Sequence, residues 1–384
     1  MTKTVMRSSF TLVAGTALLT AALGARADEA PALRTVAPKG LLIGGALGQQ
    51  HSDGKDPADL RIATRHFNTV TPENILKWER VHPELDRYDF DPVDRFVALA
   101  EQHDMFIVGH VLLWHQQTPA WVFKGEDGRP ASRDVLLERL RAHIDKVVGR
   151  YRGRIHGWDV VNEALEEDGT LRKTPWLEII GQDYIAKAFE FARQADPGAQ
   201  LYYNDYNLPK APKAAGALRI AKDLRARGLR IDGIGEQGHW LLEWPSFEEV
   251  DRMLGEFGGA GFKTHITELD IDVLPRDPGM YGADLDARTK FRAETNVYRD
   301  GLPAAGQQAL ADRYAGMFRL FLKHSDTVAR VTFWGITDRT SWLNNFPVPG
   351  RVNHPLLWDR NGEPKPAFHA VVNVLQEGGK GSPR

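Results

Sequence analysis

Ile155-His156-Gly157-Trp158-Asp159-Val160-Val161-Asn162-Glu163-Ala164 begins as an apolar, β-branched run and ends on two polar side chains. Such a stretch reads as a buried strand that emerges into a polar rim. The same grammar recurs on both sides of it. Leu41–Gly48, Phe67–Glu73, Met105–Trp114, Gln200–Asn207, Asp232–Trp240, Lys263–Ile271 and Ala329–Asp338 are the other candidate strands, which makes eight. Helical patterns lie between them. In Arg133–Tyr151 the residues Val135, Leu136, Leu140, Ile144, Val147 and Val148 share one face, and Pro92–Asp104, Pro212–Arg230, Phe247–Phe257, Gln307–His324 and Ala367–Gln376 repeat the pattern. Eight strand–helix units without a long interruption predict a closed (β/α)8 TIM barrel in a single α/β domain. No G-x-G-x-x-G follows the first strand, which counts against an open dinucleotide-binding sheet.

A barrel places its reactive groups at the C-terminal ends of its strands. Polar residues fall there in this chain: Glu73-Asn74, His110, Asn162-Glu163, Asn204-Asp205, Gln237 with His239, Glu268 with Asp270, and Asp338. A packed barrel interior has little use for so many polar ends, so they predict a lined cleft.

Composition narrows the partner. With 49 basic and 51 acidic side chains the formal charge is −2, and nothing favours nucleic-acid phosphates or anionic lipid. A neutral polymer or small molecule fits better, and ten Trp supply flat faces for stacking on sugar rings, although most Trp only fill cores.

The first residues resemble a secretory signal. Lys3 and Arg7 are followed by an apolar run from Phe10 to Leu23 and by Ala25-Arg26-Ala27, an A-x-A cleavage site. The expected division is 1–27 as signal peptide and 28–384 as the catalytic barrel domain, in a protein secreted to the periplasm or the medium. The apolar run of about 14 residues is short of the ~20 that span a bilayer, so no membrane association is expected after cleavage. There is no Cys to staple an exported fold, and stability must come from one large core.

Glu163 and Glu268, the latter in Ile266-Thr267-Glu268-Leu269-Asp270, are the carboxylates of interest. Cleaving an acetal needs one carboxyl neutral, to protonate the leaving oxygen, and a second one ionised, to meet positive charge at the anomeric carbon. Proximity of like charges supplies that split. Alone, each glutamate reads as an ordinary ion-paired residue; together at strand ends they read as a pair.

At these residues the chain, from about Leu41 to Val374, resembles the glycoside hydrolase family 10 xylanases. Thr71-Pro72-Glu73-Asn74 with Lys77-Trp78, His110-Val111-Leu112-Leu113-Trp114-His115, Trp158 to Ala164, Thr267-Glu268-Leu269-Asp270, and Trp334-Gly335-Ile336-Thr337-Asp338 with Ser341-Trp342-Leu343 each match a separate family motif. The resemblance implies a retaining endo-1,4-β-xylanase that acts on xylan and xylo-oligosaccharides without a cofactor or metal, with Glu163 as acid/base and Glu268 as nucleophile. Glu73, Asn74, Lys77, His110, Trp114, Gln117, Asn162, Asn204, Gln237, His239, Trp334 and Trp342 would hold the sugars, and Asp270 would orient His239. Oligomeric state is left open.

Rival readings are weaker. His110, His115 and His239 with Asp270 could converge on Zn²⁺, but no H-x-H or H-E-x-x-H supports this. A serine nucleophile lacks its G-x-S-x-G elbow. A related β-1,4-glucanase, or a barrel that only holds polysaccharide, remains as an alternative. Two features depart from the family pattern. Glu236 stands where an apolar residue is expected in the sixth strand, and the segment Pro275–Pro303 is long and charged for a strand–helix loop.

Overall fold

The strands close into a ring. The computed structural model describes residues 30–277, 283–285 and 292–381, and Pro31–Arg384 forms one unit. The expected signal segment 1–27 lies outside the described residues. The strands are β1 (Leu42–Leu47), β2 (Thr69–Pro72), β3 (Phe106–Leu113), β4 (Gly157–Asn162), β5 (Gln200–Asp205), β6 (Gly233–Glu236), β7 (His239–Leu241), β8 (Lys263–Asp272) and β9 (Val328–Phe333). Neighbours pair in parallel from β1 through β6, β6 pairs with β8, β8 with β9, and β9 with β1. That is an eight-membered closed sheet, with β7 an outward continuation of β6 that also pairs with β8.

The single strand expected over Asp232–Trp240 is therefore broken at Gln237-Gly238. Gly238 has φ of 84°, a left-handed backbone open mainly to glycine, and a Cβ there would come within 3.0 Å of Ile266. The last strand also stops earlier than expected, at Phe333. Gly335, with φ of 128°, turns the chain away after it.

Helices cover the ring. Arg133–Arg150 buries Leu136, Leu140, His143, Ile144, Val147 and Val148, and its N-cap Ser132 accepts the Val135 amide. Val135 itself is exposed, and His143, which the sequence pattern does not mark, joins the buried face. Pro57–His66 carries no clean apolar stripe and buries only Asp59, Ala63 and His66, while Tyr184–Ala195 buries its apolar side and turns Lys187, Glu190, Arg193 and Gln194 outward. No helix among the described residues is long and apolar enough to cross a membrane.

Register irregularities sit just below the polar strand ends. β3 and β4 slip between His110 and Leu113, β4 and β5 between Asp159 and Val161, and β8 and β9 between Ile266 and Leu269. Bulges of this kind re-aim the side chains that follow them. Glu163 comes two residues beyond the end of its slip, and Glu268 lies inside one.

Candidate active site

A cleft of about 210 Å³ opens at the C-terminal ends of the strands, lined by Glu73, Asn74, Lys77, His110, Trp114, Gln117, Asn162, Glu163, Gln237, His239, Glu268, Trp334 and Trp342 together with Ala283 and Leu285. Asn204 and Asp270 stand behind that surface, both with 0 % exposure. A larger cavity of about 530 Å³ lies between the Gly169–Leu171 turn and the helix Ala211–Ala226. It contains neither Glu163 nor Glu268 and no aromatic face, so it lacks the chemistry that the cleft concentrates.

Glu163 follows β4 with φ of 56°, a left-handed conformation that costs a non-glycine residue of order 1–3 kcal/mol and persists only where its surroundings impose it. Its Oε1 accepts from Gln237 Nε2 at 2.9 Å and Asn162 Nδ2 at 3.2 Å, and its Oε2 from the Trp114 indole at 2.9 Å. Trp114 is itself pinned, because the Trp176 indole donates to its carbonyl at 2.9 Å. Burial pushes the Glu163 carboxyl up to about 7; the Gln237 and Trp114 donors pull it down, while Asp205 and Glu268 repel its negative form.

Glu268 lies on β8. Its Oε1 accepts from Asn204 Nδ2 at 2.9 Å, and its Oε2 is 3.2 Å from His239 Nε2. Burial opposes ionisation here too, but the His239 hydrogen bond and the charges of His110, His239 and Lys77 outweigh it and hold the carboxyl below its usual value. His239 Nδ1 meets Asp270 Oδ1 at 2.9 Å, and the Trp342 indole donates to the other Asp270 oxygen at 2.7 Å. Burial alone would disfavour a charged His239; Asp270 and Glu268 on its two sides reverse this and push the imidazole up to about 9. At neutral pH it is therefore protonated, held between the two carboxyl groups.

A polar chain joins the two glutamates. Asn204 Nδ2 donates to both Glu268 and Asn162 Oδ1, each at 2.9 Å, Asn204 Oδ1 accepts from Thr267, and Gln237 Nε2 reaches both Glu163 and Asn162. This corrects the reading of Asn204 as a sugar contact: its groups are committed inside the wall, where it positions Glu268 and Asn162. The periodicity of a strand could not reveal that, because the slip between Asp159 and Val161 decides which neighbours meet.

The opposite wall comes from the loop after β2. Lys77 Nζ donates to Asn74 Oδ1 at 2.9 Å and lies 5.1 Å from the Trp114 ring centroid. Beneath it Trp78 stacks on His143 at 3.6 Å, which anchors this loop to the helix Arg133–Arg150. Burial lowers the Lys77 ammonium, although Glu268, Glu73 and Glu163 counter it, and burial raises Glu73. Gln117, with φ of 46°, donates to Glu79. Trp334 stands edge-on to His110 at 5.4 Å, and Trp342 packs on His239 at 4.7 Å and on Phe346 at 4.6 Å.

The rival zinc set does not converge. His110 Nδ1 is 2.9 Å from Asp159, His239 lies between Asp270 and Glu268, and His115 is not part of the cleft lining. Among the described residues, the group compact enough to share an ion is His51, Asp56 and Asp59, and there Arg339 already donates to both aspartates. Glu236 is fully buried outside the cleft. Of the long charged segment, Ala283 and Leu285 do reach the cleft, two contacts that no motif marked.

A (β/α)8 barrel with two buried carboxyls at its strand ends, their acidities pushed in opposite directions, has the architecture of a glycoside hydrolase. The model of glycosyl hydrolase family 10 matches residues 32–374, and the chain belongs to that family. It is 41% identical over 354 residues to endo-1,4-beta-xylanase A of Xylanibacter ruminicola, covering 92% of this chain and 96% of that one. The solved structure of a family 10 endoxylanase from a sugarcane soil metagenome is 42% identical with a TM-score of 0.87, covering 89% of this chain and 99% of that one. A second structure, a mutant in complex with xylotriose, is 37% identical with a TM-score of 0.80, again covering 89% and 99%.

Proposed function

We propose that this enzyme is a secreted endo-1,4-β-xylanase, exported with residues 1–27 removed, which hydrolyses internal β-1,4-xylosidic bonds with retention of configuration. The observation that carries the mechanism is the opposite tuning of two equally buried glutamates: Glu163 up to about 7, Glu268 held down by its imidazolium neighbour. Glu163 in its acid form protonates the departing glycosidic oxygen while the Glu268 carboxylate attacks the anomeric carbon. The C–O bond to the leaving sugar breaks as an α-linked glycosyl ester forms. Glu163, now ionised, takes a proton from water, whose oxygen displaces Glu268 and returns a β-configured product. Asn162 faces the sugar beside Glu163, where a hydrogen bond to the 2-hydroxyl would strengthen as the ring flattens.

The substrate is supported by the xylanase relatives and by the xylotriose complex of a related chain. Purified protein on xylan beside carboxymethyl-cellulose, read as released reducing ends, tests it. Faster release from cellulose would reassign the enzyme as a glucanase, and release from neither would leave a barrel that only holds polysaccharide. Proton NMR of the first product tests the stereochemistry: a β-anomer is expected, and an α-anomer would mean inversion.

A further inference from the structure

Glu236 is a buried carboxylate that the reaction above does not use. It ends β6 with 0 % exposure, at a position where the family pattern leads one to expect an apolar side chain. Its Oε2 accepts the Leu208 amide at 2.8 Å, and its Oε1 accepts the Gly238 amide at 3.1 Å and the Trp240 indole at 3.0 Å. Lys213, itself fully buried, adds a favourable charge. Three N–H groups therefore converge on one side chain at the place where the sixth strand breaks.

The hydrogen bonds divide the segment: Gly238 and Trp240 turn their N–H groups to Glu236, while Gln237 and His239 turn their side chains to the cleft glutamates. The second pair holds the chemistry: Gln237 donates to Glu163, and His239 meets Glu268. The backbone of the break is shared as well, since the Glu268 amide donates to the Gln237 carbonyl at 2.7 Å and the Gln237 amide to the Asp205 carbonyl at 2.9 Å. We propose that Glu236 is a positioning residue: from outside the cleft it fixes Gly238 and Trp240 and ties them to Leu208, and so aims Gln237 at Glu163 and His239 at Glu268. The inference rests on the roles proposed above for those two glutamates.

The test uses Glu236→Gln and Glu236→Met in the full-length protein. A carboxamide keeps the shape but turns an N–H₂ toward either Leu208 or the Gly238 and Trp240 donors. Methionine fills the volume and accepts from none of them. With misplacement of reacting groups as the cause, kcat on an aryl xylobioside falls roughly 10–100-fold in both variants while KM stays within about twofold. Circular dichroism measures the folded fraction, and the loss exceeds what that fraction accounts for. Both variants retaining wild-type kcat, or losing activity only in proportion to unfolding, would overturn the proposal. If neither variant folds, amide exchange of the wild type decides: slow exchange at Leu208 and Gly238 supports the tether, and exchange as fast as in an open loop removes it. A wild type inactive on xylan and aryl xylobiosides would instead defeat the proposed function, a different outcome from an active wild type with unaffected variants.

Discussion

Glu163 and Glu268 are the same residue type at nearly the same burial, 4 % and 5 % exposed, yet their acidities move in opposite directions. The number of hydrogen bonds does not explain it. Glu163 accepts from three side chains and Glu268 from two. The donors to Glu163 are neutral amides and an indole, which do not offset its desolvation together with the repulsion of Asp205 and Glu268. One donor to Glu268 is an imidazole that Asp270 keeps charged, and a full positive charge in a dry site outweighs several dipoles. What separates the two carboxyls, and with them the proposed roles of acid and nucleophile, is thus the sign of the neighbour.

The hardest test of that division removes each carboxylate in turn. Glu268→Ala lacks the nucleophile and should lose roughly 10⁵-fold in kcat even on a dinitrophenyl xylobioside, whose leaving group barely needs protonation. Glu163→Ala should still form the glycosyl ester on that substrate and then stall. Azide, which needs no base, should speed the Glu163→Ala enzyme and yield the β-glycosyl azide, whereas rescue of Glu268→Ala should yield the α-azide. NMR of the products reads the outcome, and exchanged configurations would reverse the two roles.

A smaller perturbation removes only the charge. His239→Asn takes the imidazolium from Glu268, whose carboxyl should rise. Activity needs Glu268 ionised and Glu163 protonated, so the acid limb of kcat/KM should move upward toward the alkaline limb that Glu163 sets near 7. The bell narrows and its maximum falls by roughly 100-fold. An unmoved acid limb would show that His239 does not hold Glu268 ionised.

Much of this arrangement is legible in the sequence. Polar residues ending apolar runs located the cleft set, and the spacing of the runs announced a barrel. What could not be read depends on local breaks of period. A period of two carries no record of the slip between Ile266 and Leu269, of the left-handed backbone at Glu163, or of the interruption at Gly238. Those breaks turn Asn204 toward Glu268 and bring Trp114, expected only as a sugar contact, onto Glu163. Glu236 announced itself as an exception, but its three donors come from segments that only the fold brings together.

Trp342 joins the surroundings of Glu268 to the cleft surface, since one indole both donates to Asp270 and lines the cleft, and its proposed role is in sugar choice. Trp342→Ala should lower the preference for aryl xylobioside over aryl cellobioside roughly tenfold, the scale of discrimination worth about one small apolar group. Trp342→Phe keeps a ring and drops the N–H, so it should retain most of the preference. If both variants keep the wild-type ratio, steric exclusion by this ring is not the source of specificity.

The mildest test touches the acid half. Trp114→Phe deletes the indole N–H that Glu163 Oε2 accepts and leaves an aromatic face for Lys77. That donor favours the ionised carboxyl, so its loss should raise the Glu163 pKa above about 7. The sign then follows: a proton held more firmly is lost at higher pH, and the alkaline limb of kcat/KM moves up while the acid limb, set by Glu268, stays where it is. At pH 6, where Glu163 is already largely protonated, the rate should change less than about threefold. Measuring kcat/KM for phenyl xylobioside from pH 4 to 9 checks both limbs at once. A shift of the acid limb instead would mean that the surroundings of the two glutamates are not independent, and that tuning by each one's own neighbours is an incomplete account of the split.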